Sequence, residues 1–482
     1  MNLSPPRSVL NSLRHFRAHD DGPWSLSPGL SVIVNASAVL LLVTSPVWLF
    51  GLFAVYEEEV SIPLSTAAST AALILFADYS LIMLCSRQHS SLRRVMMVGL
   101  LAKVAAAGLY TIMVARLYNY IADTAHYFWI AQSLTTTYQQ TGSLTFPDPL
   151  FGMNFPPFLG QCIFTITGIS LPVAMLVFAS MSYWGAYFFY RAFSIGFPGA
   201  MRSDVLAALI FLLPSCVFWT SSISKDAVMM LGSGIATYGV AHVYHRVGLR
   251  GYLLLVTGLG VIMTVRPHMA GILAIAFIFP HLFGANRTGL SGFAVKVIGL
   301  PALVVLTWFL VARGATYAEM QEVSGGTSVV MRIAQNNAAT GGSTYGGSLA
   351  ARVALAPFLL IRPFPFEVHN FQAALASLEG LGLLTMFWRR RKVLYRALGQ
   401  SRSNPFAMFL ALYAVEFTVI FAAATTNFGL LNRQRVMLAP FTIMLFLSDS
   451  RSERQEAPQP IPVLQRKRRV AIAGERSPVI GD

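Results

Sequence analysis

The sharpest chemical feature of this 482-residue sequence is the run Ala122-Asp123-Thr124-Ala125-His126-Tyr127-Phe128-Trp129. On a helix, Asp123, His126 and Tyr127 fall at spacings of three and four, so a carboxylate, an imidazole and a phenol share one face. A carboxylate at a membrane boundary can serve as general base toward a sugar or lipid hydroxyl. The same run also suits a plain interfacial helix with its aromatic belt at the headgroups and its polar face in water. Of the three residues, Asp123 is the one this plainer reading explains least well.

A second group is made of Lys225 and Asp226, Arg266 and His268, then Arg362, Glu367 and His369, and finally Arg433 and Arg435. Guanidinium forks bind phosphate oxygens two at a time and an ammonium acts as a point charge, so several of these together suit an anionic ligand. Snorkelling and local pairing, for instance Lys225 with Asp226 or Arg362 with Glu367, are the alternative. In Arg362-Pro363-Phe364-Pro365-Phe366-Glu367-Val368-His369-Asn370 two prolines fix an extended approach. That approach sets charged and aromatic side chains at the mouth of a helix, where a sugar could be oriented. Asp148, in Phe146-Pro147-Asp148-Pro149, is a second loop carboxylate that suits a turn, a pairing with Asp123 or a metal. No Walker loop, dinucleotide fingerprint, zinc spacing or Gly-x-Ser-x-Gly elbow is present, so nucleotide hydrolysis, redox chemistry and serine hydrolysis lack support. Asp78, Lys103, Glu379 and Glu416 fall inside apolar runs and suit either a transport path or interhelical pairing.

The elements that carry these residues are membrane helices. The chain is 55% hydrophobic and 11% charged with a mean hydropathy of +0.60, against about 25% charged in soluble domains, which excludes a water-soluble protein. Apolar runs of around 20 residues recur, each long enough to cross a hydrocarbon core roughly 30 Å thick. The runs predict an all-α polytopic bundle of twelve spans, near 30–54, 64–85, 95–116, 171–193, 203–220, 226–245, 252–265, 267–285, 291–313, 370–388, 404–424 and 434–448. The pair 252–265 and 267–285 is separated only by Arg266-Pro267-His268, and one kinked helix there would invert everything downstream.

The excess of 35 Lys and Arg over 20 Asp and Glu marks the cytoplasmic loops of such a bundle rather than a nucleic-acid surface. It places both termini in the cytoplasm: a basic segment 1–29 without a cleavable signal, and a flexible basic tail 449–482 suited to anionic lipid. Residues 30–448 form the membrane domain, with two long outer loops, 117–170 and 314–369. Ile121 to Leu134 reads as an amphipathic helix, Gly342 to Arg362 as a surface-lying apolar stretch, and 325–347 as a mobile Gly- and Ser-rich lid. Three cysteines, Cys85, Cys162 and Cys216, imply no disulfide framework, and no internal repeat of the transporter kind is visible.

Taken together, the outer Asp123 with its aromatic company, Trp219-Thr220-Ser221-Ser222-Ile223-Ser224-Lys225-Asp226, Arg266-Pro267-His268 and Asn432-Arg433-Gln434-Arg435 resemble the GT-C superfamily. These are multi-spanning glycosyltransferases that use polyprenyl-phosphate-linked sugars, such as protein mannosyltransferases and lipid A aminoarabinose transferases. The resemblance runs over roughly 117–437. It implies that Asp123 activates the acceptor hydroxyl and that Arg433, Arg435, Arg266 and Lys225 hold the donor phosphate. His126, Tyr127, Asp226, His268, Arg362, Glu367 and His369 would bind substrate. It implies a polyprenyl-phosphate-sugar donor, a glycan, lipid or protein acceptor, membrane lipids as surroundings and no nucleic acid. No cofactor is required, and a divalent metal is compatible. Two features depart from the family: its aspartate follows the first span, whereas two further helices precede Asp123, and its frequent second acid is missing. The setting expected is the periplasmic face of a bacterial inner membrane. An O-antigen-type polymerase or ligase using lipid-pyrophosphate donors, and a lipid-linked-glycan flippase or transporter, are the alternatives.

Overall fold

The computed structural model describes residues 26–53, 62–200, 203–246, 248–283, 301, 349–368, 371–399, 404–424 and 428–449. The expected span 291–313 apart from residue 301, the lid 325–347, His369, the tail from 450 and residues 1–25 of the amino-terminal segment lie outside them. The described residues are helical and contain no strand. In chain order the helices are α1 (Pro28–Val43), α2 (Ser45–Phe53), α3 (Leu64–Cys85), α4 (Ser90–Arg116), α5 (Asp123–Thr141), α6 (Phe155–Thr167), α7 (Leu171–Gly196), α8 (Ser203–Leu212), α9 (Pro214–Phe218), α10 (Lys225–His245), α11 (Leu249–Val265), α12 (Pro267–Phe283), α13 (Leu349–Ala354), α14 (Phe371–Gly399), α15 (Pro405–Ala424) and α16 (Phe428–Phe446).

Five of these, α3, α4, α7, α10 and α15, are long and apolar enough to cross a membrane, and a sixth span is available if the bent pair α1 and α2 counts as one. The molecule is therefore a helical membrane protein with fewer qualifying spans among the described residues than the twelve expected. The expected first span bends by 56° between Val43 and Ser45, and the expected span 203–220 is broken at Leu213-Pro214. A proline in a helix interior removes an amide donor and clashes with the preceding turn. The described part of the 252–285 stretch, to residue 283, is two antiparallel helices, not one kinked helix. The Tyr252 ring at the start of α11 lies 6.1 Å from the His281 ring near the end of α12, so the chain turns back at Arg266-Pro267.

Helix α10 is the centre of the bundle: 83% of its apolar window is buried, against 17% for α3, which leaves most of α3 to lipid. Small residues let α10 approach its neighbours closely, as is usual where no hydrophobic force drives helices together in lipid. A Cβ on Gly185 of α7 would overlap the Met230 backbone of α10, and one on Gly258 of α11 would overlap the Ala236 backbone. The break in the expected span 203–220 leaves backbone groups that no water can satisfy in hydrocarbon. Ionisable side chains take them up. Glu379 of α14 accepts from the Ser215 amide at 2.8 Å and the Ser215 hydroxyl at 2.6 Å. Lys103 of α4 donates to the Cys216 carbonyl at 3.1 Å, to Ser182 at 2.8 Å and to Thr220. Asp78 of α3 likewise accepts from Ser180 and from the Trp184 indole of α7.

One end of the bundle gathers the α4–α5 turn, the starts of α10 and α14 and the α11–α12 turn. Tyr118 donates to Gln372 at 3.2 Å, Thr124 to the Ile223 carbonyl at 3.3 Å, and the Gly152 amide to the Thr264 carbonyl at 2.9 Å. The other end gathers the close of α14 and α16, where Arg390 pairs with Asp449. A Gly185→Leu substitution is expected to force α7 off α10 and cost about 3 kcal/mol or more. Gly260→Ala, where a Cβ meets nothing, should leave stability unchanged or slightly raised. Thermal unfolding in detergent measures both.

Candidate functional site

Asp123 opens α5 and Asp226 sits in the first turn of α10, so both carboxylates meet the positive end of a helix dipole. Ser224 caps α10 by accepting from the Ala227 amide at 3.3 Å, which fixes where Lys225 and Asp226 leave the backbone. Asn119 and Tyr120 both take left-handed conformations, with φ of 43° and 63°, a conformation that costs a non-glycine residue roughly 1–2 kcal/mol. That turn sets the first residue of α5 over the end of α4.

Two arginines from elsewhere in the chain join these carboxylates. Arg433 of α16 donates Nη1 to Asp123 Oδ2 at 2.6 Å and Nε to Asp226 Oδ2. Arg266, at the α11–α12 turn, donates Nη2 to Asp226 Oδ1 at 2.9 Å and Nη1 to the Gln434 amide oxygen. Asp226 is wholly buried with both oxygens engaged, whereas Asp123 is 43% exposed. Lys225 adds a third cation to the same field and makes no hydrogen bond or ion pair with another described residue. Three cations against two carboxylates leave a formal excess of one positive charge, as an anion site requires. Burial lowers the Arg266 guanidinium from its ordinary value, and the Asp226 carboxylate works against that shift. Tyr127 is buried beside the group, and burial followed by the Asp123 charge pushes its phenol up. Its hydroxyl therefore stays protonated as a donor, and it has no hydrogen-bond partner among the described residues.

Not all the residues singled out in the sequence meet here. His126 is exposed, with its ring centroid 6.2 Å from that of the buried Tyr127, and it makes no bond to the Asp123–Asp226–arginine group. Helix α16 begins at Phe428, six residues earlier than the expected span at 434. Arg433 and Arg435 thus lie within the helix rather than before it, and a separation of two residues points them to different sides. Arg435 is buried among α14 and the turn before it. It donates to the Ala376 carbonyl at 3.1 Å, to Glu379 at 3.3 Å and to the Arg362 carbonyl, so its two terminal nitrogens serve the scaffold and do not join Arg433, while its buried Nε has no partner among the described residues. Arg362 pairs with Glu367, which also accepts from the Phe364 amide at 2.8 Å; this is the local pairing that competes with a substrate role. His268 follows Arg266 and is exposed at the same turn. Asp148 is exposed and makes no bond to Asp123, and among the described residues no three His, Cys, Asp or Glu side chains gather as metal ligands would.

Gln434 was within the quoted Asn432–Arg435 run but carried no assigned role. Its part follows only from the position of α16, since its partner Arg266 is 168 residues away. Asp226→Ala would strand two partly buried guanidiniums and should cost about 3–5 kcal/mol. Asp123→Asn, at the exposed edge, should cost no more than about 1 kcal/mol. Denaturant unfolding of the two variants checks the order. Comparison with protein-family models, with curated proteins and with solved structures finds no match to this chain.

Proposed function

We propose that this protein is a membrane glycosyltransferase that moves a sugar from a polyprenyl-phosphate-linked donor to a glycan, lipid or protein hydroxyl, at the periplasmic face of a bacterial inner membrane. The observation that carries the reading is the meeting of Asp123, Asp226, Arg266, Arg433 and Lys225 at one end of the bundle. Residues up to 310 positions apart supply one semi-exposed carboxylate and a net cationic surround. In the proposed reaction the acceptor oxygen bonds to the anomeric carbon as the bond from that carbon to the phosphate oxygen breaks. The acceptor proton passes to Asp123 and the electron pair leaves on the lipid phosphate. Cations aimed at that developing charge supply the main stabilisation, and Lys225 and Arg433 are the residues assigned to it. Asp226 contacts the arginines and acts as a positioning residue. No step requires a metal.

A transport reading draws less support, because Asp78, Lys103 and Glu379 are each consumed in bonds between neighbouring helices; Glu416, whose Oε2 has no partner among the described residues, is the ionisable group on which it would still rest.

The test is transfer of radiolabelled sugar from polyprenyl-phosphate donors to membrane glycan and lipid extracts by the purified full-length protein. Asp123→Asn is expected to lower transfer by about 10²- to 10⁴-fold with the fold retained. Wild-type transfer by that variant removes Asp123 as the base, and absence of transfer from every donor tried removes the glycosyltransferase reading.

A further inference from the structure

The two carboxylates on Arg433 are held very differently. Asp226 is fully buried and both its oxygens are bonded, one by each arginine. A carboxylate so placed cannot be released without a desolvation penalty of several kcal/mol. Asp123 is 43% exposed and bonded through one oxygen to one guanidinium nitrogen, a kind of pair worth about 1 kcal/mol or less. Asp226 is thus a fixed counter-ion of Arg433, and Asp123 is a replaceable one. Lys225 lies within the electrostatic reach of Arg266, Arg433, Asp123 and Asp226 and makes no bond of its own to a described residue. The Tyr127 hydroxyl, buried and unpartnered among the described residues, faces the same group. A carboxylate bonded to Arg433 Nη1 and a phosphate entering the same exposed edge repel each other, and Asp123 held by a guanidinium is a weaker proton acceptor than Asp123 released from it.

We infer that Asp123 and the phosphate of a prenyl phosphate ester exchange on Arg433. The incoming phosphate takes over Arg433 Nη1, gains Lys225 and the Tyr127 hydroxyl, and in doing so sets Asp123 Oδ2 free. Donor binding then unlocks the base. The inference rests on the glycosyl-transfer reading only for what Asp123 does after release; the exchange itself is a binding equilibrium.

Titration calorimetry with geranyl monophosphate, on full-length protein in nanodiscs of zwitterionic lipid, tests it. An internal competitor scales the apparent affinity by the fraction of sites it leaves free. Asp123→Asn, which removes that competitor, should therefore bind the probe about 5- to 10-fold more tightly than wild type. Arg433→Ala should lose most of the binding. Equal or weaker binding by Asp123→Asn overturns the exchange, as does an equal gain in affinity for geraniol, which carries no charge to compete.

A second measurement needs no variant. Carboxyl footprinting of the wild type, read by mass spectrometry, should show Asp123 more reactive when geranyl monophosphate is added, whereas protection of Asp123 overturns the proposal. The outcomes separate from those of the transfer assay. Loss of transfer in Asp123→Asn with unchanged phosphate affinity keeps the base and removes the exchange; tighter binding without transfer from any donor keeps the exchange and removes the base.

Discussion

A carboxylate with no exposure to water has to be repaid by charge and hydrogen bonds, and Asp226 sets that condition for the whole end of the bundle. Its two oxygens point to different partners, so one arginine cannot satisfy it. Arg266 must come from the α11–α12 turn and Arg433 from α16, which requires those elements to close on the first turn of α10. The glycine contacts between α7, α10 and α11 are what allow that closure, since they bring helix axes near enough for side chains of ordinary length to meet. Gln434 then takes the remaining reach of Arg266, and Asp123 takes that of Arg433. The site is thus a consequence of satisfying one buried charge, with the exposed edge left adjustable.

Deeper in the bundle the same condition is met differently. Lys103, Asp78 and Glu379 would each be costly alone in hydrocarbon, and each is spent on a neighbour's hydroxyls, indole or backbone. Two of the three serve the proline-broken stretch around Pro214, whose amide and carbonyls are deprived of helical partners. Ionisable residues inside spans therefore have two distinct uses here. Lys103 and Glu379 repair broken helix geometry and Asp78 ties α3 to α7, whereas the group at the Asp123 end stands in excess of what repair demands.

Much of this was legible in the residues. Apolar runs located α3, α4, α7, α10 and α15 to within a few residues, because lipid rewards unbroken apolar length and little else. Placement of Asp123, Lys225, Asp226, Arg266 and Arg433 on one side followed from span counting, and that counting depended on reading Arg266-Pro267 as a reversal. What was not legible depended on helix phase and on distant partners. His126 and Tyr127 are adjacent in sequence, and whichever face α5 buries decides which of them enters the site; only packing against the bundle sets that. Helix α6, from Phe155 to Thr167, was hidden by its proline-rich start, although Pro156 and Pro157 occupy first-turn positions where a missing amide costs nothing.

Arg433 and Arg435 show why type and spacing alone underdetermine a site. Read as residues preceding a helix, the two looked equivalent, a doublet suited to one phosphate. Inside α16 they are separated by about 200° of rotation, so they answer to different neighbours. Arg433 meets two carboxylates, one of them at the exposed edge, and retains a group that a ligand can compete for. Arg435 is committed to Glu379 and two carbonyls in the interior, where an anion would have to displace backbone acceptors with no compensating partner for them. A cation contributes to recognition only when what it is bonded to can be given up at low cost. In this molecule exposure of the partner, more than the identity of the cation, distinguishes the arginine that can bind from the arginine that holds the fold.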